Sequence, residues 1–359
     1  MQKKLAKVTE LADFDCIIDV RSPAEFAEDH VPEAISCPVL SNEERIRVGT
    51  IYKQVSAFEA KKLGASLVAR NIAQCLEINF LDKPKSWRPL IYCWRGGQRS
   101  GALTHVMREI GWNAHQLAGG YKTWRRHVLT ELTTLPGQLN FIVISGTTGS
   151  GKSRLLELLA THGAQVLHLE QMAAHKGSVL GNLPGQTQPS QRGFDTTLFN
   201  SIGQFSPNRP VFVEAESRKI GQLQLPESLV TAIRRAPCVR LNATLDARID
   251  FLLGDYEYAV SDPVWLLNCI ERLRGTQSRE TLDRWSQYIS NGEFRQLVQE
   301  LLVEHYDPLY RRSQNHNYVE HRQAQFIEID DLGVASLTAV AQQLLDLGIE
   351  RRADAIAQT

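Results

Sequence analysis

A cysteine followed by two glycines and two arginines is the first group of residues here with the means to do chemistry. The strand-like run Pro89–Tyr92 comes first, and the loop then reads Cys93-Trp94-Arg95-Gly96-Gly97-Gln98-Arg99-Ser100. Paired glycines allow a tight turn whose backbone amides point inward, and the start of a helix favours negative charge. A thiol in this setting, beside two arginines, is expected to be a nucleophile at neutral pH.

A complete phosphate-binding P-loop is the second such group. It follows the apolar run at residues 141–145, precedes an apolar-periodic helix, and matches G-x-x-x-x-G-K-[ST] in full. Its backbone amides wrap a phosphate, Lys152 neutralises the charge, and Ser153 is the residue that would hold a Mg²⁺. The predicted diphosphate-binding residues are Gly146, Thr147, Gly149, Ser150, Gly151, Lys152 and Ser153.

Two glutamates stand where a P-loop protein usually places an acidic strand end. Glu214 and Glu216 follow the run at residues 211–213, and the usual aspartate is absent. This difference argues against ordinary ATP hydrolysis, and no base-recognition motif is evident. Together with Ser217 and Arg218, the glutamates form a predicted polar and acidic site.

Composition and charge narrow the class of protein. The chain has 359 residues, enough for two domains, and no apolar run long enough for a membrane span. The N-terminus lacks the apolar stretch of a signal peptide, and six cysteines are scattered without a CxxC pair. This pattern predicts a cytoplasmic protein with free thiols and no disulfide framework or zinc site. Lys plus Arg equals Asp plus Glu at 40 each, so any nucleic-acid surface must be a local patch.

The order of predicted elements indicates an α/β fold with two parallel sheets. The first domain, residues 1–131, has predicted strands at residues 15–20, 89–92 and 113–117, with helices beginning at Pro23 and Ser100. Residues 132–138 are interpreted as a linker because they contain Thr, Pro and Gly. The second domain, residues 139–359, has predicted strands at residues 141–145, 165–169, 211–213, 239–241 and 326–329. It is mostly helical over residues 265–310, with a last helix at residues 335–347. Residues 42–54 are expected to form a solvated surface segment.

The first third of the chain resembles the rhodanese family. Residues 19–26 with 30–35 are similar to that family's first signature, and residues 117–124 to its closing one. The resemblance implies that Cys93 carries sulfur or selenium. However, five residues separate Cys93 from Arg99, whereas sulfurtransferases of this fold usually have four. The longer loop resembles that of rhodanese-fold phosphatases, so phosphatase action remains open on this loop alone.

The whole chain resembles the bacterial tRNA 2-selenouridine synthases, which join a rhodanese-like domain to a P-loop NTPase-like domain. The segments that carry the resemblance, besides the P-loop, are residues 48–54, 60–65, 92–97, 188–191 and 214–221. It implies replacement of sulfur by selenium in wobble 2-thiouridine of the tRNAs for Lys, Glu and Gln. It also implies geranyl diphosphate and selenophosphate as substrates, selenophosphate synthetase as a partner, and no tightly bound cofactor or membrane.

The implied chemistry assigns a role to each loop. S-geranylation turns a poor leaving group into a thiolate-type one, and the P-loop stabilises the departing diphosphate. Cys93 then carries selenium, while Trp94, Arg95, Gly96, Gly97 and Arg99 hold selenophosphate. Basic residues outnumber acids six to one between Cys93 and Arg126, which predicts tRNA contacts at Lys122, Arg125 and Arg126. Trp94 and Trp124 are candidates to stack on a flipped-out base.

Three other functions remain open from the sequence. An RNA or nucleotide kinase using the P-loop predicts ATP turnover and a phosphorylated product. A rhodanese-fold phosphatase predicts Cys93-dependent release of phosphate from phosphoesters. A non-catalytic tRNA-binding module predicts neither, and the two intact loops argue against it.

Overall fold

The parallel strands of this chain fall into two sheets. The computed structural model describes residues 4–178, 180–310, 312 and 324–357, with side chains of the last helix described to residue 346. The chain divides into two units. The first comprises Met1–Glu131 with Pro189–Phe199, and the second comprises Leu132–Gln188 with Asn200–Thr359.

The sheet of the first unit has five strands in the described part of the chain. They are β1 (Leu5–Ala6), β2 (Cys16–Asp19), β3 (Ile35–Ser36), β4 (Pro89–Tyr92) and β5 (His115–Leu117), in the order β1-β5-β4-β2-β3 with every pair parallel. The strands predicted at residues 15–20, 89–92 and 113–117 are confirmed. Parallel strands end at the same edge, so the loops after β2, β4 and β5 lie together.

Helices of the first unit are α1 (Pro23–Glu28), α2 (Asn42–Gln54), α3 (Ala57–Asn79), α4 (Gln98–Ile110) and α5 (Gly120–Thr134). Helix α1 begins at Pro23 as predicted, with the Ser22 amide donating to Glu25 Oε2 at 3.1 Å. Residues 42–54, expected to be a solvated segment, are helical. They begin at the Ser41 cap, whose hydroxyl accepts from the Glu44 amide.

The segment predicted as a linker is also ordered into helices. Helix α5 continues to Thr134, and a 3₁₀ helix spans Leu135–Gln138. Pro136 is buried in its first turn, where proline costs no backbone hydrogen bond. A cluster of Thr, Pro and Gly therefore marked a change of helix type and not an irregular loop.

The second unit contains the other parallel sheet. Among described residues its strands are β6 (Asn140–Gly146), β7 (Gln165–Leu167), β8 (Pro210–Glu214), β11 (Cys238–Ala243) and β12 (Gln325–Ile329), in the order β12-β11-β6-β8-β7. Two short strands, β9 (Lys219–Ile220) and β10 (Leu223–Gln224), pair antiparallel beside it. All five predicted strands are confirmed. The central strands β6 and β8 are buried and read as continuous apolar runs, whereas the edge strand β12 alternates buried and exposed residues.

Helices surround the second sheet and form a separate cluster. They are α6 (Lys152–Thr161), α7 (Leu169–Met172), α8 (Gln191–Gly203, which begins in the first unit), α9 (Glu227–Arg235), α10 (Leu245–Asp255), α11 (Glu257–Val260), α12 (Pro263–Glu271), α13 (Arg279–Asn291), α14 (Phe294–Glu300) and α15 (Val334–Ala357). A π-helix at Leu301–Tyr306 continues α14. The helical prediction for residues 265–310 is confirmed, and Trp285 is fully buried in this cluster. None of the described helices is long and apolar enough to cross a bilayer.

One cysteine prediction is wrong. Cys37 and Cys75, both expected as free thiols, form a disulfide with 6.2 Å between their Cα atoms. Their separation of 38 residues carries no signal, because only the packing of α3 brings Cys75 to the segment after β3. No other disulfide occurs within the described ranges.

Candidate active sites

Cys93 lies at the carboxyl end of β4, and its sulfur is held by two donors. The Gly97 amide lies 3.2 Å and the Ser100 hydroxyl 3.1 Å from Sγ. Gln116 on β5 supports this arrangement, since its Nε2 donates to Ser100 Oγ at 2.7 Å and to the Gly96 carbonyl at 2.8 Å. The thiol is only 4% exposed, so a reagent must enter the loop to reach it. The sequence predicted the amide loop but missed Ser100 and Gln116 as its supports.

A second stretch of main chain holds this loop in shape. The amides of Tyr121 and Lys122 donate to the carbonyls of Cys93 and Trp94 at 2.9 and 3.0 Å. Gly120 lies where these segments meet, at φ +60°, and a Cβ there would lie 2.2 Å from the Cys93 carbonyl oxygen. Only glycine permits this approach.

The two arginines of the loop have different surroundings. Arg99 forms a forked pair with Glu25, at 2.7 and 3.3 Å, whereas Arg95 is exposed. Burial favours a raised pKa at Glu25, but hydrogen bonds and charge from Arg99 outweigh it, so the carboxyl pKa is lowered. Arg99 therefore joins the loop to α1, and Arg95 remains open to an incoming anion.

The tryptophans predicted to stack on a base also differ. Trp94 is half-buried, with Tyr121 at 5.3 Å and the Arg192 guanidinium 5.6 Å from its ring centre. Trp124 is 3% exposed and packs edge-on against Phe199. Trp94 thus keeps an accessible edge, and Trp124 is part of the core.

Of the three residues predicted to contact tRNA, two are exposed. Lys122 and Arg126 are open to solvent on α5. Arg125 pairs with Asp195 of the segment Pro189–Phe199, and the two side chains are 16% and 7% exposed. Arg125 therefore has a structural contact that no reading of local charge reveals.

In the second unit, the P-loop connects β6 to α6. Lys152 Nζ donates to the carbonyls of Gly146 and Thr147 at 2.9 and 3.3 Å. The Gly146 amide donates to Tyr310 Oη at 2.9 Å, and Ser153 Oγ donates to Glu170 Oε2 at 3.0 Å. The predicted Mg²⁺ residue is thus bonded to a carboxyl group that the sequence did not single out. No cluster of three His, Cys, Asp or Glu within the described residues is arranged to hold a metal ion.

Three carboxyl groups share the surroundings of Lys152. Glu214 Oε2 accepts from the Leu169 amide at 3.0 Å, while Oε1 has no hydrogen-bond partner within the described structure. Burial and the charge of Glu170 raise the pKa of Glu214 from 4.5 to about 8. The same two causes raise the pKa of Glu216 well above its ordinary value, and burial lowers the pKa of Lys152. At neutral pH Glu214 is therefore mostly protonated.

The other two members of the predicted acidic site lie at the surface. Ser217 borders the cavity, and its hydroxyl bonds the Lys219 carbonyl. Arg218 pairs with Glu227 in solvent and does not line the cavity.

A cavity of about 1140 Å³ opens over the P-loop. Its wall includes Glu170, Lys176, Glu216, Tyr256 and Tyr306. A smaller apolar cavity of about 70 Å³ adjoins it, and the two share five residues: Thr148, Ser178, Leu252, Tyr256 and Tyr306. The apolar cavity lies between α10, α12, α14 and the π-helix. The sequence did not predict it, since its walls come from distant helices.

Comparison with known proteins gives the family. Residues 139–268 match the tRNA 2-selenouridine synthase AAA domain, and residues 1–127 match the Rhodanese-like domain. A tRNA 2-selenouridine synthase from Aeromonas salmonicida is 32% identical over 323 residues, which cover 82% of this chain and 86% of that protein. The chain belongs to this synthase family.

Other members of the synthase family match over a shorter stretch. The protein from Nitrosomonas europaea is 35% identical over 244 residues, and that from Bdellovibrio bacteriovorus is 32% identical over 256. These matches cover 67% of this chain but 63% and 64% of those proteins. The chain thus spans slightly less than two thirds of their length.

Two of the segments that carried the resemblance to the synthases meet in the second unit. The Gln188 side chain donates to the carbonyls of Ala173 and Ile220, both at 3.0 Å, and accepts from the Gln222 amide at 2.8 Å. Gln188 thus ties the segment at residues 188–191 to the turn that ends residues 214–221.

Replacing Gly120 with alanine is expected to distort the Cys93 loop. The added Cβ overlaps the Cys93 carbonyl oxygen, so the cost should exceed the roughly 1–2 kcal/mol of a left-handed alanine alone. Urea unfolding and the rate of Cys93 alkylation, followed by peptide mass spectrometry, measure the effect. Gly111→Ala is the matched control, because Gly111 also has positive φ but nothing within 4 Å of its Cβ position. Equal losses in both variants, with an unchanged alkylation rate, would contradict this account.

Glu214→Gln is expected to change how stability depends on pH. Between pH 4.5 and about 8 the folded protein keeps a proton on Glu214 that the unfolded chain releases. Wild-type stability should therefore fall relative to the variant as pH rises through this window, by a few kcal/mol in order of magnitude, and level off above pH 8. Urea midpoints of both proteins from pH 5 to 9 test this. Parallel curves would mean that the carboxyl ionises normally.

Proposed function

We propose that this protein converts wobble 2-thiouridine in tRNA to 2-selenouridine in two steps at two sites. The P-loop cavity of the second unit takes geranyl diphosphate for S-alkylation of the thiouridine. Cys93 of the first unit carries the selenium from selenophosphate that then replaces the alkylated sulfur. Membership of the synthase family supports the overall reaction, and the apolar cavity adjoining the P-loop cavity is the observation that carries the alkylation step.

The joined cavities suit an amphiphilic diphosphate better than a nucleotide. Backbone amides and Lys152 at the P-loop match the diphosphate, and the adjoining apolar cavity of about 70 Å³ accommodates part of a hydrocarbon chain. Glu214 occupies the usual acidic strand end, but its raised pKa leaves it mostly neutral at pH 7.

Each step has a clear role for the protein. In the first, the thiouridine sulfur bonds C1 of the geranyl group while the C–O bond to diphosphate breaks, and charge on the leaving diphosphate is stabilised by the P-loop. In the second, the selenium of selenophosphate, held at Cys93, bonds C2 of the base and geranyl thiolate leaves. Hydrolysis of the P–Se bond then releases phosphate, so no oxidant or reductant is needed. The Cys93 loop, with Gly97, Ser100 and Arg95, is suited to hold an anionic donor at the sulfur.

The tRNA substrates, the selenium supplier and the residues that contact phosphates are proposed separately from the chemistry of the two loops. We propose the tRNAs for Lys, Glu and Gln as substrates and selenophosphate synthetase as the supplier of selenium, on family resemblance. Exposed Lys122 and Arg126 are proposed as phosphate contacts. A cytoplasmic location and the absence of a tightly bound cofactor stay predictions.

Two substitutions should separate the steps. Cys93→Ala is expected to abolish selenation but leave geranylation, because alkylation needs no carrier. Lys152→Ala is expected to lose geranyl transfer, yet still convert pre-geranylated tRNA. Mass spectrometry of nucleosides from 2-thiouridine tRNA, incubated with geranyl diphosphate and then selenophosphate, measures both products.

The matched controls are Cys16→Ala, a thiol of the same unit outside the loop, and Arg279→Ala, an exposed charge on α13 that lines neither cavity. Both should behave as wild type. Production of 2-selenouridine by Cys93→Ala would exclude the carrier role. If tRNA stimulated an ATPase activity that geranyl diphosphate did not affect, a kinase would be favoured. Cys93-dependent hydrolysis of simple phosphoesters would favour a phosphatase.

Narrowing the apolar cavity should change which prenyl chain length the enzyme prefers in its diphosphate donor. Val298 lines this cavity and is only partly buried, so Val298→Phe fills space with little disturbance of the core. The variant is expected to use geranyl diphosphate at least tenfold less efficiently than wild type but to keep activity with the shorter dimethylallyl diphosphate. Val303→Phe is the control, because Val303 is 50% exposed and lines neither cavity. An equal loss of efficiency with both donors would mean that the prenyl group binds outside this cavity.

A further inference from the structure

Helices α2 and α3 form a hairpin whose tip carries large apolar side chains in solvent. Val55 and Ser56 join the two helices, which pack against each other along their length. At the tip, Tyr52 is 61%, Val55 70% and Phe58 67% exposed. Scattered exposed apolar residues are normal, whereas a cluster on one protrusion indicates an interaction surface.

The same tip is strongly basic. Between Arg47 and Lys62, toward the tip, the sequence has four basic residues and the single acid Glu59. Arg47, Lys53 and Lys61 are exposed and have no acidic partner within the described residues. Helical spacing places Phe58, Lys61 and Lys62 on one face of α3, and Lys62 Nζ lies 5.2 Å from the centre of the Phe58 ring. Aromatic rings thus stand beside cations on a chain of zero net charge.

We propose that this hairpin tip, formed by Tyr52, Lys53, Val55, Phe58 and Lys61, binds the substrate tRNA at unpaired nucleotides of its anticodon loop. Unstacked bases pack on aromatic side chains, and adjacent phosphates pair with lysine or arginine. An apolar protein partner would account for the aromatic residues but not for a fourfold excess of basic residues. The assignment rests on the proposed tRNA modification and names the surface that holds this substrate.

The base of the hairpin is tied to the Cys93 loop. Glu25 pairs with Arg99 of that loop and also with Arg45 of α2, whose Nε lies 3.8 Å from Glu25 Oε2. Asn42, the first residue of α2, accepts from the Ala24 amide at 2.9 Å. Helix α2 rises about 18 Å from this anchor to the tip. RNA bound at the tip is therefore attached to a helix whose base contacts both α1 and, through Glu25, the Cys93 loop.

The test is tRNA binding by the full-length protein as a function of salt. Lys53→Ala is expected to weaken binding of an anticodon stem-loop and to reduce the log–log salt slope by roughly 0.7–0.9, as for one lost phosphate contact. Lys53→Ala with Lys61→Ala should reduce it by about twice that. Tyr52→Ala and Phe58→Ala should each weaken binding about 5- to 150-fold, with the slope unchanged, because stacking releases no counterions.

The matched control is Lys85→Ala, an exposed lysine beyond the far end of α3, about 30 Å along that helix from Phe58. This variant should bind like wild type. In conversion assays the tip variants should raise KM for tRNA and leave kcat within about twofold of wild type.

Unchanged tRNA affinity and salt slope in all tip variants would overturn the assignment. If those variants lost selenation only when selenophosphate came from its synthetase, and not when it was added free, the hairpin would dock a protein instead. Failure of the proposed function has a different signature, since the wild-type protein would then make no modified nucleoside from any tRNA.

Discussion

The close approach of two stretches of main chain is the constraint on which the cysteine site depends. The carbonyls of Cys93 and Trp94 accept from the amides of Tyr121 and Lys122, and Gly120 leaves the space for this. The approach follows from the sheet, because β4 and β5 are neighbours with Ile91 opposite Gln116. A slip of one residue in this register would turn Gln116 away from Ser100 and leave the sulfur without its support.

The P-loop depends on a different balance, between the charges of Lys152 and the nearby Arg248 and those of three carboxyl groups. Lys152 is surrounded by Glu170, Glu214 and Glu216, and burial with the charge of Glu170 raises the pKa values of the last two. Binding of a diphosphate adds more negative charge to this group. Diphosphate binding is therefore expected to raise the pKa values of these carboxyl groups and to be linked to proton uptake. The glutamates thus influence anion binding, even though an ionised carboxylate cannot donate a hydrogen bond to a phosphate.

Features that depend on local sequence were predictable. Strands β4, β6 and β8 are continuous apolar runs, and both chemical loops follow such strands directly. Features that depend on contacts between residues far apart in sequence could not be predicted. The sequence around Arg125 does not predict its ion pair with Asp195, and the sequence around Ser153 does not predict its hydrogen bond to Glu170, because the fold brings each pair together. The disulfide between Cys37 and Cys75 and the apolar cavity were missed for the same reason.

The assignment of Pro189–Phe199 to the first unit has a consequence for how the protein is made. On the ribosome, the first 131 residues emerge without Asp195, Thr196 and Phe199. Arg125 then has no carboxylate, Asp29 lacks the hydroxyl of Thr196, and Trp124 lacks one aromatic neighbour. Residues 132–188, including the P-loop, must be synthesised before those partners arrive. The rhodanese-like unit therefore cannot complete its packing during translation until the P-loop has left the ribosome, and a fragment cut at residue 131 would remain permanently in that unfinished state.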